Sequence, residues 1–446
     1  MNQIAIGDSS GMTVIHGELI SPPYRRTACF FNFEDQPLIS EHIEVEIAGT
    51  PAQLQEVLDR FNQIKLRAQL YEGGTYYSPQ YLRCQQAHGD YTYRTPIRHL
   101  RLSVNKDGYL TARKGSLLLT LHYTRPPWFD QGLYALPLST RTNTDVLTGV
   151  TLVNHCDAGT ADFNSAYAKG SAIATSLPAP LKLEIEFLTA ASTLKDLFVG
   201  VYHNQGDDRG ESHFYYHASD FSGGTPVYNP GAINAFYRTL SWSSDAWTSL
   251  ATVAISDAAM EKLDYKAYRP ILHLFTNHSY SDLYLRLGLL DGADLIYQTD
   301  PVHADPDYGY VLFPPLHLPL HQTLRDLDPK GLTLTLYGYK DNTATTTITF
   351  DQLFLLPLDY AMQFKGFFNM TQGDVFVYDQ ATGLCNVRAT PGPKEIKQHI
   401  PLGGSLMLFP NRTSRLILMW TNAADNVAIA DSVKLIAYYR KRTNIL

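Results

Sequence analysis

Apolar and polar residues alternate with a period of two along much of this chain. The alternation is clearest in HIEVEIAG (42–49), LKLEIEF (181–187), LYLRLGLL (283–290), GLTLTLYGY (331–339), TTTITFDQLFLL (345–356), RLILMWT (415–421) and SVKLIAYY (432–439). Such segments are typical of strands with one apolar face. Turn-forming segments such as FSGGTP, YKDNT and LGGS lie between them. The pattern predicts a mainly β protein built of antiparallel β-sandwich domains.

One segment follows a helical period instead. Thr50 is a good N-cap, Pro51 suits the first helical position, and Gln53 completes a capping box. Gly73 and Gly74 stop the helix. Its apolar residues recur at three-to-four spacing: Leu54, Val57, Leu58, Phe61, Ile64 and Ala68. We expect an amphipathic helix over about 51–70, packed on an N-terminal sheet.

The chain of 446 residues is long enough for two to four domains. We expect residues 1–135 to form a β-rich domain with helix 51–70, and the Ser-, Thr- and Gly-rich stretch 136–177 to be an extended linker with a strand or two. The strand series 178–359 has the size of a jelly roll. Residues 360–446 form a C-terminal β domain, either separate or completing the N-terminal sandwich.

Charge argues against a nucleic-acid partner. The net charge is −7 and charged residues make up 18 % of the chain. The chain therefore offers little positive charge to attract the phosphate backbone of a nucleic acid. The basic cluster Arg440, Lys441 and Arg442 is short. We interpret it as a solvated end or a contact to an acidic neighbouring subunit.

Cysteine usage and hydropathy restrict the function further. The four cysteines are widely spaced and form no CxxC motif, so neither a zinc site nor a disulfide framework is indicated: Cys29, Cys84, Cys156 and Cys385. We find no basic, apolar leader and no run of about 18 apolar residues. We therefore expect synthesis in the cytoplasm, no signal peptide and no membrane insertion.

The segment GDSSG (7–11) raises the possibility of a serine hydrolase. Ser9 would be the nucleophile, and DPVH offers Asp300 and His303 as partners. Strand residues on both sides of GDSSG, however, indicate a hairpin loop. We expect residues 3–6 to pair antiparallel with 12–16, and Ser9 to be exposed and far from His303.

Histidine-containing motifs suggest no metal site. The pairs His213/His217 and His317/His321 have i, i+4 spacing, which converges on a metal only in a helix, and both segments resist helix formation. In NHCDAG, His155, Cys156 and Asp157 are adjacent, so neighbouring side chains point to opposite faces of a strand. The acidic GDD and ADPD loops lack a calcium-binding pattern. We expect no metal, no cofactor and no enzyme activity.

Two tryptophans are candidates for stacking on sugars. Trp242 and Trp247 lie in LSWSSDAWTSL, inside the segment of jelly-roll size. Aromatic faces suit carbohydrate rings, and jelly rolls often serve as carbohydrate-binding modules. A buried core position is the alternative for at least one of the two.

The arrangement of these segments resembles a family. The segment 42–74 with its following strands and LLLTLHYTRPPWFD is similar to the N-terminal belt domain of siphophage distal-tail (Dit) proteins. TLVNHCDAG…SLPAPLKLEIEF resembles the junction into an inserted jelly roll, and PLGGSLMLFPNRTSRLILMWTN…DSVKLIAYYRKR resembles the closing β-unit of such tail proteins. An ordinary Dit protein is shorter or carries its accessory domain near the C-terminus. This chain departs from that pattern, because its last strands follow the segment that resembles the inserted jelly roll.

The resemblance implies a structural protein of a phage virion, located in the distal tail or baseplate. It implies a ring-shaped homo-oligomer that contacts tail tube or tail hub, with the jelly roll facing outward. We further expect helix 51–70 and the terminal strand 432–442 to be the contact elements of the ring. The alternative is a carbohydrate-binding, lectin-like protein that binds a host-surface glycan through the jelly roll. A GDS-type hydrolase acting through Ser9 is the remote alternative.

Overall fold

A computed structural model describes most of the chain and divides it into two units. One unit, called the N-terminal unit, comprises Met1–Tyr134, Thr175–Ala179 and Arg440–Leu446; the second unit comprises Ala135–Ala174 and Pro180–Tyr439. The described residues are 3–8, 11–16, 24–30, 38–73, 79–85, 92–104, 115–154, 164–190, 193–205, 214–256, 259–260, 263, 267–276, 282–305, 309–318, 331–389, 392–395, 398–401, 404–422 and 431–443.

The described part of the N-terminal unit consists of antiparallel strands and one helix. Its elements are β1 (Gln3–Asp8), β2 (Gly11–His16), β3 (Tyr24–Phe30), β4 (Ile39–Ala48), α1 (Pro51–Glu72), β5 (Gln80–Gln85), β6 (Thr92–Val104), β7 (Ser116–Arg125) and β8 (Phe129–Leu136). The strands pair in the orders β2-β1-β5-β6-β8 and β6-β7-β4-β3. Strand β6 belongs to both orders, because its first half pairs with β5 and its second half with β7.

Strand β6 changes partner at a local irregularity. Its register with β7 shifts between Arg98 and Arg101, and His99 between them has a left-handed backbone with φ of 50°. An inserted residue of this kind bends a strand and increases its twist. The bend lets one continuous strand serve both halves of the sheet.

The opening hairpin is confirmed. Ile4 pairs with His16, Ile6 with Thr13, and Gly7 with Met12, all antiparallel. Ser9 and Ser10 lie outside the described residues, so the prediction that Ser9 is exposed and remote from His303 stays a prediction. Asp8, beside Ser9, is buried and accepts a hydrogen bond from Gln80 Nε2 at 2.9 Å.

The helix prediction is confirmed in detail. Thr50 is the N-cap and forms the predicted capping box with Gln53, and Pro51 occupies the first turn. The residues that α1 buries are Leu54, Val57, Phe61, Ile64 and Ala68. They join one apolar cluster with strand residues from β1, β4, β5, β6 and β7. The helix therefore packs its apolar face against the sheet, as its amphipathic pattern requires.

The described part of the second unit consists mainly of strands, with short 3₁₀ turns and α-helical residues at Ala259, Met260 and Leu263. Its strands are β9 (Val150–Val153), β10 (Ser165–Ala168), β11 (Ala179–Phe187), β12 (Leu194–Gln205), β13 (Tyr215–His217), β14 (Thr225–Tyr228), β15 (Phe236–Trp242), β16 (Thr248–Ile255), β17 (Ala267–Thr276), β18 (Leu283–Asp291), β19 (Asp294–Gln298), β20 (Val302–His303), β21 (Tyr310–Leu312), β22 (Leu316–His317), β23 (Leu332–Lys340), β24 (Thr346–Pro357), β25 (Ala361–Met370), β26 (Val375–Asp379), β27 (Leu384–Ala389), β28 (Gly392–Glu395), β29 (Gln398–Pro401), β30 (Met407–Leu408), β31 (Arg412–Asn422) and β32 (Ser432–Thr443). The mainly antiparallel β-sandwich class predicted from the sequence is confirmed.

One sandwich of the second unit combines strands from distant parts of the sequence. Its sheets have the orders β9-β32-β11-β26-β27-β28 and β10-β31-β12-β25-β29. Phe364 of β25 contacts the rings of Phe376 and Tyr378 on β26, at centroid distances of 4.8 and 5.0 Å, across the two sheets. Strands β11 and β12 thus pair with strands of the 360–446 segment, which the proposed domain division separates from them. The stretch predicted as a linker contributes β9 and β10.

The other sandwich is formed by residues 214–357. One sheet has the order β14-β15-β24-β17-β21, with β13 beside β24 and β22 beside β17; the other has the order β16-β23-β18-β19, with β20 beside β18. Leucines from β18 and β23 meet aromatic and aliphatic side chains from β15, β17 and β24 in one buried cluster. Among the strands that the structure describes, none is stacked on the opposite face of the β16-β23-β18-β20 strands.

The basic end of β32 has an intramolecular partner. Arg442 Nε donates to Asp130 Oδ1 at 2.9 Å, and its guanidinium lies 4.5 Å from the ring centroid of Trp128. Burial raises the pKa of the Asp130 carboxyl, while the Arg442 charge beside it acts in the opposite direction. Arg442 is thus not part of a solvated end, which corrects that interpretation of the basic cluster.

Candidate functional site

Alternation along β18 and β23 places one set of side chains in the core and another outside. On β18, Leu283, Leu285, Leu287 and Leu289 are buried, so Tyr284 and Arg286 between them face outward. On β23 the same rule buries Leu332, Leu334 and Leu336 and turns Tyr337 and Tyr339 outward. The outer face of this sheet therefore carries aromatic rings and one arginine.

Strand register aligns two of these rings, Tyr284 and Tyr339, with His303 of β20. Tyr284 pairs directly with Tyr339 on β23 and with His303 on β20. Ring centroids are 5.5 Å apart for Trp247 and Tyr339, 6.3 Å for Tyr284 and Tyr339, and 5.3 Å for Tyr284 and His303. We call Trp247, Tyr339, Tyr284 and His303 the aromatic row. It runs from Trp247, the residue before β16, across β23 and β18 to β20, a span of about 15 Å at ordinary strand spacing.

A cation lies beside the aromatic row. The Arg286 guanidinium carbon is 4.1 Å from the ring centroid of Trp247 and 5.4 Å from that of Tyr337, its direct cross-strand neighbour. Planar guanidinium groups stack well on aromatic rings. Among the residues that the structure describes, Arg286 is therefore held in place by two rings and not by an ion pair.

A glycine makes room for this arrangement. Gly288 lies two residues beyond Arg286 on the same face of β18, and a Cβ at this position would come within 2.7 Å of Tyr337 Cε2. The same atom would lie 3.1 Å from Leu295 Cδ1. Any side chain at Gly288 would thus displace the Tyr337 ring from its present position.

The two candidate tryptophans have different environments. Trp242 is only 6 % exposed, belongs to the core cluster, and lies against Gly338 on the inner side of the sheet. Trp247 is half-buried and belongs to the aromatic row. Trp247 was predicted from the sequence as a site residue, whereas Tyr284, Arg286, Tyr337 and Tyr339 were not. Alternation indicated that Tyr284 and Arg286 share a face, but the sequence held no sign of the register that joins them to Trp247.

The other histidine and cysteine candidates do not converge. Asp300 and His303 are exposed, and His303 stacks edge-on against Tyr284. His217 and His317 lie on separate strands, while His213, His321 and the His155–Asp157 triplet lie outside the described residues. Among described residues no group of three or more His, Cys, Asp or Glu side chains could hold a metal ion. In the same part of the chain, no helix has the length and apolar character of a membrane span.

The N-terminal unit has a shallow depression of its own, about 350 Å³ in volume. His42 of β4 lies directly opposite His122 of β7, with ring centroids 5.9 Å apart, and Arg101 of β6 is the next neighbour across the sheet. The buried Glu41 at its base is engaged by Arg125. The depression lacks stacked aromatic surface, so the aromatic row and Arg286 offer a ligand the wider set of contacts.

Comparisons with known proteins give only distant similarities. No protein-family model matches the chain, and no curated protein matches it significantly. Among solved structures, a chain of the phage P2 baseplate in its activated conformation has 9 % identity and a TM-score of 0.22, covering 96 % of this chain and 100 % of its own. The tandem CBM22 module of Paenibacillus barcinonensis Xyn10C has 10 % identity and a TM-score of 0.21, covering 51 % and 92 %. Similarity at this level does not assign the chain to a family.

Proposed function

We propose that this chain is a structural component of a tailed-phage virion, a distal-tail or baseplate protein that forms an oligomeric ring. In this role it links tail tube to tail tip, contacts the tail hub, and acts by assembly and binding rather than as an enzyme. It is made in the host cytoplasm and ends in the virion tail.

The order of elements in the N-terminal unit supports this proposal. Strand β4, the capped helix α1 and the strands β5–β8 follow one another as in the belt-like segment that the sequence resembles. Helix α1 also exposes two large apolar side chains, Leu66 at 54 % and Leu70 at 37 %. Exposed apolar side chains on a rigid helix suit a subunit contact.

Solution size and electron microscopy test the ring. The purified chain should sediment as a closed oligomer, and negatively stained particles should be rings, because head-to-tail contacts close when the rotation per subunit allows it. A monomer that persists at high protein concentration would contradict the proposal. Copurification with tail-tube or hub protein would extend it to the tail.

Carbohydrate binding in host adsorption is the second candidate function. The observation that favours it is the aromatic row, whose rings lie side by side on an outer sheet face. Aromatic faces provide large apolar contact areas for sugar rings at low conformational cost. This role and the structural one are compatible within one chain.

Glycan arrays test the second function. The intact chain should retain at least one oligosaccharide, and Trp247→Ala should abolish that retention, because the row loses its largest ring. Tyr228→Ala is the matched control, since Tyr228 is 67 % exposed on the other sheet of the same sandwich. Equal loss in both variants would argue against the aromatic row as the binding surface.

A further inference from the structure

We infer that the aromatic row binds an anionic glycan, and that Arg286 is the residue that holds the anionic group. The inference rests on the proposed carbohydrate-binding function and specifies its ligand class. The expected ligands share one chemical feature: a pair of carboxylate or phosphate oxygens carried on a sugar or polyol chain. Both groups match the planar, two-pronged donor edge of a guanidinium.

The Arg286 guanidinium has a hydrogen-bond donor without a partner. Its Nε is buried without a hydrogen-bond partner, and in the described part of the chain no carboxylate forms an ion pair with it. Its contacts are the ring faces of Trp247 and Tyr337. A stacked guanidinium still has its in-plane N–H groups free to donate, so the terminal nitrogens are the donors that a ligand meets.

Arg286 lies close to the rings of the aromatic row. Arg286 follows Tyr284 by two residues on the outward face of β18, so their backbone positions are about 7 Å apart along the strand. A sugar stacked on Tyr284 or Tyr339 would place a ring substituent beside the guanidinium, which itself covers one face of Trp247. Stacking and charge recognition are thereby combined within one short oligosaccharide.

The chain as a whole is acidic. The chain has a net charge of −7, so its overall field repels an anionic polymer rather than attracting it. Recognition must therefore come from a local cation that is already oriented. Two rings hold Arg286 in place before binding, which lowers the entropy lost when the ligand arrives.

The test compares three probes on the intact chain: a neutral xylo-oligosaccharide, an oligogalacturonate of equal length, and a glycerol-phosphate oligomer. We expect calorimetry to give at least about tenfold tighter binding for one anionic probe than for the neutral one. The preferred anionic probe distinguishes a carboxylate ligand from a phosphate ligand. Higher salt should reduce this preference, because it is electrostatic.

Variants assign the preference to Arg286. Arg286→Gln should remove the preference for the anionic probe, and Arg286→Lys should retain part of it, because a point charge remains without the two-pronged geometry. Tyr228→Ala should behave like the unchanged chain. Thermal unfolding of each variant identifies any loss that reflects misfolding, and Arg286→Lys serves as the second variant if Arg286→Gln does not fold.

The outcomes separate the inference from the function on which it rests. Equal affinity of the unchanged chain for neutral and anionic probes would overturn the anionic ligand and leave carbohydrate binding intact. An anionic preference that survives in Arg286→Gln would overturn the role of Arg286. Failure to bind any saccharide, neutral or anionic, would overturn the carbohydrate function itself.

Discussion

Arg125 and Glu41 form a two-pronged ion pair inside the N-terminal unit. Arg125 Nε lies 2.7 Å from Glu41 Oε2 and Nη2 lies 2.6 Å from Oε1, and neither side chain is exposed. Tyr123 Oη donates to the same carboxylate at 3.1 Å, and Arg125 Nη1 donates to the Pro126 carbonyl. Such a network is stable only when complete, because removing one partner leaves the other charge buried without a counter-charge.

Removing one member of this pair should destabilise the N-terminal unit strongly. We expect Arg125→Met to lower the free energy of unfolding by about 3–5 kcal/mol, since Glu41 is left buried without its cation. Urea denaturation measures the loss. Glu56→Gln is the control, because the Glu56–Arg60 pair lies on the exposed side of α1 and such pairs contribute little. Equal losses in the two variants would contradict the role assigned to burial.

The capping box of α1 should contribute a smaller, measurable amount. Thr50 Oγ1 accepts from the Gln53 backbone N–H, and the Gln53 side chain accepts from the Thr50 N–H at 2.9 Å. We expect Thr50→Ala to cost about 1 kcal/mol of unfolding free energy, and Thr50→Ser to cost little, because serine caps equally well. A Thr50→Ser loss as large as that of Thr50→Ala would rule out the cap as the cause.

Exposed apolar residues on α1 should matter for assembly and not for folding. We expect Leu66→Glu to shift the oligomer towards monomer in analytical ultracentrifugation, while its thermal midpoint as a monomer stays unchanged. Gln63→Glu adds the same charge at an exposed polar position of the helix and should leave assembly intact. An intact ring in Leu66→Glu would remove this face of α1 from the contact.

Gly288 should be needed for binding at the aromatic row. The added methyl group of Gly288→Ala would collide with the Tyr337 ring, which lies beside Arg286. We expect several-fold weaker glycan binding than in the unchanged chain, measured by calorimetry. Gly132→Ala is the control, because the nearest atom to its Cβ would be 4.0 Å away. Unchanged binding in Gly288→Ala would show that the Tyr337 position is not required.

Cys385 should be a poorly reactive thiol in the folded protein. Burial raises its pKa from 9.0 to about 12, so at pH 8 the thiolate is about 10³-fold scarcer than in the unfolded chain. We expect iodoacetamide to label the Cys385 peptide correspondingly slowly, with about a tenfold rise per pH unit. Mass spectrometry of folded and urea-unfolded samples measures the ratio, and a ratio below ten would contradict the shift.

The same shift has a consequence for stability. Because the folded state holds the Cys385 proton more tightly than the unfolded state, the free energy of unfolding falls as the pH rises from about 9 towards 12. Cys385→Ser should reduce that slope. An identical slope in the variant would assign the alkaline loss to other groups.

Local features of this fold were predictable from the sequence, and long-range ones were not. Helix α1 and the β1–β2 hairpin depend on residues close in sequence, namely Thr50 with Gln53 and Ile6 with Thr13. The aromatic row depends on four segments around positions 247, 284, 303 and 339, whose register no local pattern specifies. Strands β11 and β12 likewise pair with strands near the end of the chain, so domain limits read along the sequence separated them from their partners.

The Asp130–Arg442 pair has a consequence for biosynthesis. The two residues are 312 positions apart in the sequence, so at about 5–20 residues per second the ribosome delivers Arg442 roughly 15–60 s after Asp130. During that interval the nascent chain already holds the first eight strands but not the guanidinium that offsets the buried carboxylate. The N-terminal unit therefore gains its Asp130–Arg442 ion pair only after the second unit has been translated.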